Sequence, residues 1–222
     1  MTRLPGVVLT PELETYMESL LPAREPVLAR LEREIAASSV PGIGPAVGQL
    51  LRLLTRAARC RDAIELGTAV GYSAIWLAGG CSGTVLTLER DPARAAEARR
   101  NLREAGLEGR VRVVEEDAIA FLEGDGGPVD CIFNDLLTSF PDEGVVERCF
   151  ELCVGHLRPG GLLLADNALR RGEVPEPRSQ PALNAARWNR LVADDPRLEG
   201  MIVPLRDGLS IARLRDQGEG PG

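Results

Sequence analysis

One segment, Ala63-Ile64-Glu65-Leu66-Gly67-Thr68-Ala69-Val70-Gly71-Tyr72-Ser73, constrains the fold of this chain more than any other. A short apolar run carries an acid near its end. Two glycines follow at a G-x-x-x-G spacing, and an apolar helix-like stretch over 74–78 comes next. The pattern reads as strand, tight glycine turn, helix. Such a turn lets backbone N–H groups approach a ligand where a side chain would collide with it. Glu65 stands where it can hold a cationic or hydroxylated ligand beside the turn. A second apolar run, 84–88, ends in Glu89 about 20 residues past the turn, where an acid takes the ribose hydroxyls of a nucleoside cofactor. A lone glycine pair is most often plain turn punctuation. Here the flanking strand and helix, and the second acid, favour a nucleoside site. The dinucleotide fingerprint G-x-G-x-x-G is absent from this turn. Gly42-Ile43-Gly44-Pro45-Ala46-Val47-Gly48 imitates it, but no strand precedes it and Pro45 lacks an N–H, so it reads as a loop entering a helix.

Periodicity extends this unit along the chain. Helices are expected over 12–21, 26–37 and 45–59. Strands and helices then alternate: strand 62–66, helix 71–79, strand 83–88, helix 92–105, strand 110–115, helix 117–123, strand 129–133, helix 141–157, strand 161–165, helix 180–194. Runs 199–204 and 209–214 flank Arg206-Asp207-Gly208 and read as a hairpin. The expected fold is α/β: a doubly wound, mainly parallel seven-stranded sheet with a C-terminal antiparallel hairpin and added N-terminal helices. One domain is expected over 1–222, with N-terminal helices to 60, an α/β core over 61–215 and a disordered tail over 216–222. In such a sheet ligands sit outside the carboxyl ends of the strands. Glu65, Glu89, Asp117, Asp135 and the pair Asp166-Asn167 all fall just after, or at the end of, an apolar run. Capping and turn roles alone would scatter acids along helices and loops.

Composition narrows the chemistry. The net charge of −7 argues against a nucleic-acid backbone as main partner. No apolar run approaches the ~20 residues that span a bilayer, and no signal-peptide core follows Arg3. The five cysteines show no C-x-x-C pair and no zinc spacing, which fits buried, reduced thiols in a cytoplasmic protein. All 26 basic residues are arginine, so no lysine serves as a general base. The one histidine, His156, precedes Leu157-Arg158-Pro159-Gly160-Gly161 and reads as a helix-terminal residue rather than a catalytic one.

The glycine-turn segment resembles the first motif of class I S-adenosylmethionine (SAM)-dependent methyltransferases. In detail it is similar to the catechol and caffeoyl-CoA O-methyltransferase family, which carries E-[IL]-G-T-x-x-G-Y-S between a strand and a helix. The likeness runs from about 9 to 215 and includes Leu157-Arg158-Pro159-Gly160-Gly161-Leu162-Leu163-Leu164-Ala165-Asp166-Asn167 and Pro204-Leu205-Arg206-Asp207-Gly208-Leu209. It implies a SAM pocket formed by Glu65, Gly67, Thr68, Gly71, Tyr72, Ser73, Glu89, Arg90, Asp117, Ala118 and Asp135. It also implies a divalent metal, Mg²⁺ ahead of Mn²⁺ or Ca²⁺, on Asp135, Asp166 and Asn167, an all-oxygen set of the kind hard cations take. Asp117 reads nearly as well as a helix N-cap; for Asp135 and Asp166 the metal is favoured over a role as turn caps.

The chain departs from that pattern in two places. The family's F-[IV]-D-A-D-K-x-x-Y appears here as Phe133-Asn134-Asp135-Leu136-Leu137-Thr138-Ser139-Phe140-Pro141, with Thr138 at the lysine position often given as the base. Its V-L-W-x-G appears as Ala168-Leu169-Arg170-Arg171-Gly172, whose arginines suit an acidic acceptor or a solvated loop. Asp135, Thr138 and Arg170 are therefore the candidate catalytic residues. The resemblance implies metal-dependent O-methylation of a catechol-like or other vicinal dioxygen small molecule by a homodimer. Two other readings stay open: methylation of a hydroxylated tRNA base, and a cofactor-binding homologue with weak catalysis. A nicotinamide dehydrogenase is disfavoured by the missing fingerprint.

Overall fold

A computed structural model describes residues 8–38, 40, 42–124, 127–216 and 218. Three helices lead: α1 (Pro11–Ser19), α2 (Pro26–Ala36) and α3 (Gly44–Ala57). The alternating core follows as β1 (Ala63–Leu66), α4 (Tyr72–Gly80), β2 (Val85–Leu88), α5 (Pro92–Glu104), β3 (Val111–Val114), α6 (Ala118–Leu122) and β4 (Val129–Asn134). It ends with α7 (Glu143–Gly155), β5 (Leu157–Ala165), α8 (Gln180–Asp194), β6 (Leu198–Val203) and β7 (Leu209–Leu214). The strand order is β3-β2-β1-β4-β5-β7-β6, and β7 runs opposite to the other six strands of this sheet. The chain winds outward from β1 in one direction and resumes at β4 in the other. The β1/β4 boundary is therefore the switch point, where a crevice opens at the strand ends.

The helices begin where local chemistry directs. Asp91, Asp117, Asp142 and Ser179 accept hydrogen bonds from the first free N–H groups of α5, α6, α7 and α8. Proline occupies the first turn of α1, α2, α3, α5 and α8, where its missing donor does no harm. Helix α4 is buried over Tyr72–Ala78 on every side, so its sequence is apolar all round rather than striped. It lies between the sheet and α3. On the opposite face α7 and α8 pack through an edge-to-face Phe150–Trp188 pair with ring centroids 5.5 Å apart.

Most element ends shift by one or two residues from the sequence expectation, and the largest shift is at the start of β5. Helix α7 stops at Gly155, with His156 as its C-cap, and β5 starts at Leu157 instead of 161. The early start is possible because the pairing slips: Val129 faces Leu157, whereas Cys131 faces Leu162. Gly160 absorbs the irregularity at φ +77. Short 3₁₀ turns at Leu137–Ser139 and Arg170–Gly172 also follow the ends of β4 and β5. The tail expected over 216–222 lies, Asp216 and Gly218 apart, outside the described residues. All five cysteines are buried and unpaired, and among the described residues no helix is long and apolar enough to cross a membrane.

The α3–α4 contact supplies a stability prediction. A methyl group on Gly48 would overlap the Trp76 indole, which Arg52 covers at 4.5 Å and Tyr72 meets edge-on. The ring has little freedom to yield. Gly48→Ala is expected to cost about 1–3 kcal/mol through overpacking, despite alanine's better helix propensity. Urea unfolding checks this, and an unchanged or raised midpoint would contradict it.

Candidate active site

The glycine turn is built by backbone conformation and a short relay of hydroxyls. Gly67 and Gly71 have φ of +98 and +84, and Ala69 is held at +46. A side chain at Gly67 would press on Leu136. The N–H groups of Gly67 and Thr68 both donate to the Leu88 carbonyl at 3.1 Å, tying the turn to β2. Thr87 Oγ1 donates to Glu65 Oε2 and also contacts Thr68 Oγ1. Thr87 has one proton, so Thr68 must be the donor in their contact. Glu89 completes the frame: Oε2 accepts from Ala69 N and Oε1 from Asp91 N, each at 3.0 Å.

A cavity of about 440 Å³ opens beside this turn, at the carboxyl ends of the strands. The structure brings Gly67, Glu89, Arg90, Asp117, Ala118 and Asp135 to its walls, together with Ala69, Arg94, Leu136, Ser139 and Phe140. Asp117 is also the N-cap of α6, accepting from Ile119 N and Ala120 N. Glu65, Thr68, Gly71, Tyr72 and Ser73 do not line this cavity. Tyr72 turns its hydroxyl away and donates to Glu32 Oε1 at 2.9 Å. Ser73 is buried, and its hydroxyl lowers the Glu65 carboxyl against the effect of burial.

Next to the cavity, β4 and β5 deliver an oxygen-rich group. Asp135 follows the last residue of β4 and Asp166 the last of β5, and Asp166 N donates to Asn134 O at 3.1 Å. Burial pushes the Asp135 carboxyl well above its usual range, and the charges of Asp166 and Glu65 push the same way; Arg206 opposes them. Burial likewise raises Asp166 to about 6, against the Asn167 N–H and Arg206. Asp166 is only 4 % exposed, and its Oδ1 has no hydrogen-bond partner among the described residues. Asn167 adopts φ +62 and donates from Nδ2 to Asp207 Oδ2 at 3.3 Å. Arg170 has φ +40, with Nε buried and without a partner among the described residues. Thr138 is half-buried in the first 3₁₀ turn, outside the cavity wall.

The group fits a hard cation by its donors: two carboxylates and an amide, with one buried carboxylate oxygen unused. Among the described residues no cluster of three or more His, Cys, Asp or Glu residues is arranged around a metal position, so an amide oxygen is needed to make a third protein donor. Two further neighbours, Arg206 and Asp207, were read from sequence only as a hairpin turn, although they lie within the Pro204–Leu209 motif. Arg206 also donates to the Gly42 carbonyl at 2.7 Å. It edges a second cavity of about 310 Å³, lined by Leu9, Met17, Leu21, Leu50, Leu53 and Leu205.

Glu65 gives the site a pH signature. It is fully buried, and burial raises its carboxyl from the usual 4.5 to about 7; the Ser73 and Thr87 hydroxyls oppose the shift and the Glu89 charge adds to it. Between those two pH values the folded protein binds more protons than the unfolded chain, so stability falls as pH rises through that window. The span corresponds to something on the order of 3 kcal/mol. Ligand-free protein is expected to melt lower at pH 8 than at pH 5, and Glu65→Gln to flatten the difference. An unaltered slope in Glu65→Gln would assign it elsewhere.

A doubly wound sheet with an acid-walled crevice at its switch point defines a nucleoside-cofactor enzyme scaffold, and known proteins narrow the class. The profile of the O-methyltransferase family matches residues 19–215. The chain is 32% identical over 218 residues to the catechol O-methyltransferase of Niastella koreensis, covering 91% of this chain and 96% of that one. It is 31% identical over 216 residues to the catechol O-methyltransferase of Mycobacterium tuberculosis, covering 92% and 96%. The solved Bacillus cereus O-methyltransferase, a complex with SAH, superposes with a TM-score of 0.81 at 29% identity, covering 92% of this chain and 97% of that one. The chain belongs to the O-methyltransferase family and is an enzyme of that class.

Proposed function

We propose that this enzyme transfers the methyl group of SAM to one oxygen of a catechol-like or other vicinal dioxygen small molecule, with a divalent cation as cofactor. The observation that carries the proposal is the placement of Glu89 and Asp135 on one cavity wall, with the unpartnered Asp166 oxygen at the adjoining strand end. Glu89 is positioned for the ribose hydroxyls, and Asp117 and Ala118 for the adenine edge. Asp135, Asp166 and Asn167 would hold the cation, which when bound supplies Lewis acidity and a template for the acceptor oxygens. The chain aligns donor and acceptor for in-line displacement, and alignment alone is worth up to about 7–11 kcal/mol. The apolar cavity beside Arg206 suits a small acceptor with a hydrophobic body.

Incubation with labelled SAM, a panel of catechols and Mg²⁺, Mn²⁺ or Ca²⁺ tests the reading. Methylated catechol that disappears on chelation is expected. A protein that binds S-adenosylhomocysteine yet methylates no dioxygen acceptor with any of these metals would overturn it. Because the chain has no lysine and Thr138 stands off the cavity wall, Thr138→Ala should leave kcat within about threefold. A folded, cofactor-binding Thr138→Ala protein without activity would make Thr138 a participant. We also read the enzyme as a homodimer. Helix α1 buries no residue, and Tyr16, Leu20 and Leu53 lie exposed on this side of the molecule. Light scattering at a monomer mass would reject that assembly.

A further inference from the structure

We infer that Asp207 is a positioning residue: its carboxylate fixes the side-chain amide of Asn167 so that the Asn167 oxygen, not the nitrogen, is offered to the cation site. The inference rests on the cation reading above. A carboxylate can only accept hydrogen bonds, so the group of Asn167 facing Asp207 Oδ2 at 3.3 Å must be its NH₂. The amide oxygen then points to the other side. It takes no hydrogen bond from any described residue and is not among the buried polar atoms, so a ligand can reach it.

Asp207 is itself held in place. Its Oδ1 accepts from Arg171 N, its carbonyl from Leu169 N at 2.8 Å, and the next carbonyl, Gly208 O, from Ala168 N at 2.9 Å. These bonds join the β6–β7 tip to the loop after β5. They hold Asn167, Arg170 and Arg171 in left-handed conformations that non-glycine residues seldom adopt. The hairpin tip thus sets the orientation of a donor that the end of β5 supplies.

Asp207→Asn is nearly isosteric and tests the orientation. With its oxygen kept on Arg171 N, the new amide turns its own NH₂ toward Asn167. Asn167 must then flip and offer nitrogen to the cation. Mn²⁺ affinity of the S-adenosylhomocysteine-bound protein, read by electron paramagnetic resonance without acceptor, should fall by about 10- to 100-fold in D207N. Unfolding midpoint and S-adenosylhomocysteine affinity should stay near parental values. The pair N167D/D207N reverses the hydrogen bond and again leaves an oxygen outward, so it should regain parental Mn²⁺ affinity.

Loss of one negative charge is the competing explanation, and R206Q/D207N restores that charge without restoring the orientation. It should remain weak. Parental affinity in D207N, or equal recovery in R206Q/D207N and N167D/D207N, would overturn the inference while leaving the cation reading intact. No Mn²⁺ binding by the parent, unchanged by Asp166→Ala, would sink both. If D207N does not fold, the reversed pair decides against Asn167→Ala. Parental affinity in the pair supports the positioning role, and affinity as low as in Asn167→Ala rejects it.

Discussion

Asp166→Ala is expected to lower metal-dependent methyl transfer by about 10³-fold while leaving S-adenosylhomocysteine affinity within about twofold. The magnitude follows from several kcal/mol of charge stabilisation at the reacting oxygen, at about 1.4 kcal/mol per decade of rate. Asp166 is the cleaner probe of the two aspartates because Asp135 also lines the cavity beside the glycine turn. The structure adds a second expectation. A carboxylate that is 4 % exposed, with one oxygen unpartnered and a pKa raised to about 6, does not stabilise the ligand-free fold. Removing it should leave the melting temperature near neutral pH unchanged or raise it. Activity lost together with stability gained would mark a group retained for function. Parental turnover in Asp166→Ala, insensitive to EDTA, would exclude this residue from any cation site. Turnover lost along with the fold would instead make Asp166 structural.

The parts of this arrangement that were legible in sequence are those encoded by local pattern. The apolar run over 63–66, the glycines with positive φ and the acid at 89 specify strand, turn and helix within about 25 residues, and parallel pairing places successive strand ends on one edge. The orientation of Tyr72 and Ser73 was not legible for a physical reason. Helix α4 is apolar on all faces, so no periodicity says which side meets the turn and which meets α2. Tertiary packing decided it, giving the Tyr72 hydroxyl to Glu32. The approach of Asp207 to Asn167, and of Arg206 to Asp135 and Asp166, was hidden differently. It depends on β7 running antiparallel beside β5, a pairing such as Ala165 with Ser210 between segments distant in sequence, and on left-handed backbone at residues that carry no glycine signal. The start of β5 at Leu157 was masked by Pro159-Gly160, which reads as a turn and is accommodated as a slip in register.

Glu89→Ala should weaken S-adenosylhomocysteine binding by about 1–3 kcal/mol, near the upper end of that range, because the side chain has two duties. Its two oxygens already accept from Ala69 N and Asp91 N, and the residue lines the cavity. Loss of the carboxylate removes the proposed ribose acceptor and releases Ala69, an alanine held at φ +46. Affinity alone cannot separate the two effects; a cofactor analogue lacking both ribose hydroxyls can. The parent should bind that analogue about 10- to 100-fold more weakly than S-adenosylhomocysteine. Glu89→Ala should bind the two almost equally, so that the double-mutant-style cycle closes with a large coupling between side chain and hydroxyls. Glu89→Gln should not rescue the loss, since its NH₂ must face one of the two backbone donors. If calorimetry shows Glu89→Ala weakening both compounds by the same factor, Glu89 serves only to hold the turn, and the ribose hydroxyls are bound by another group.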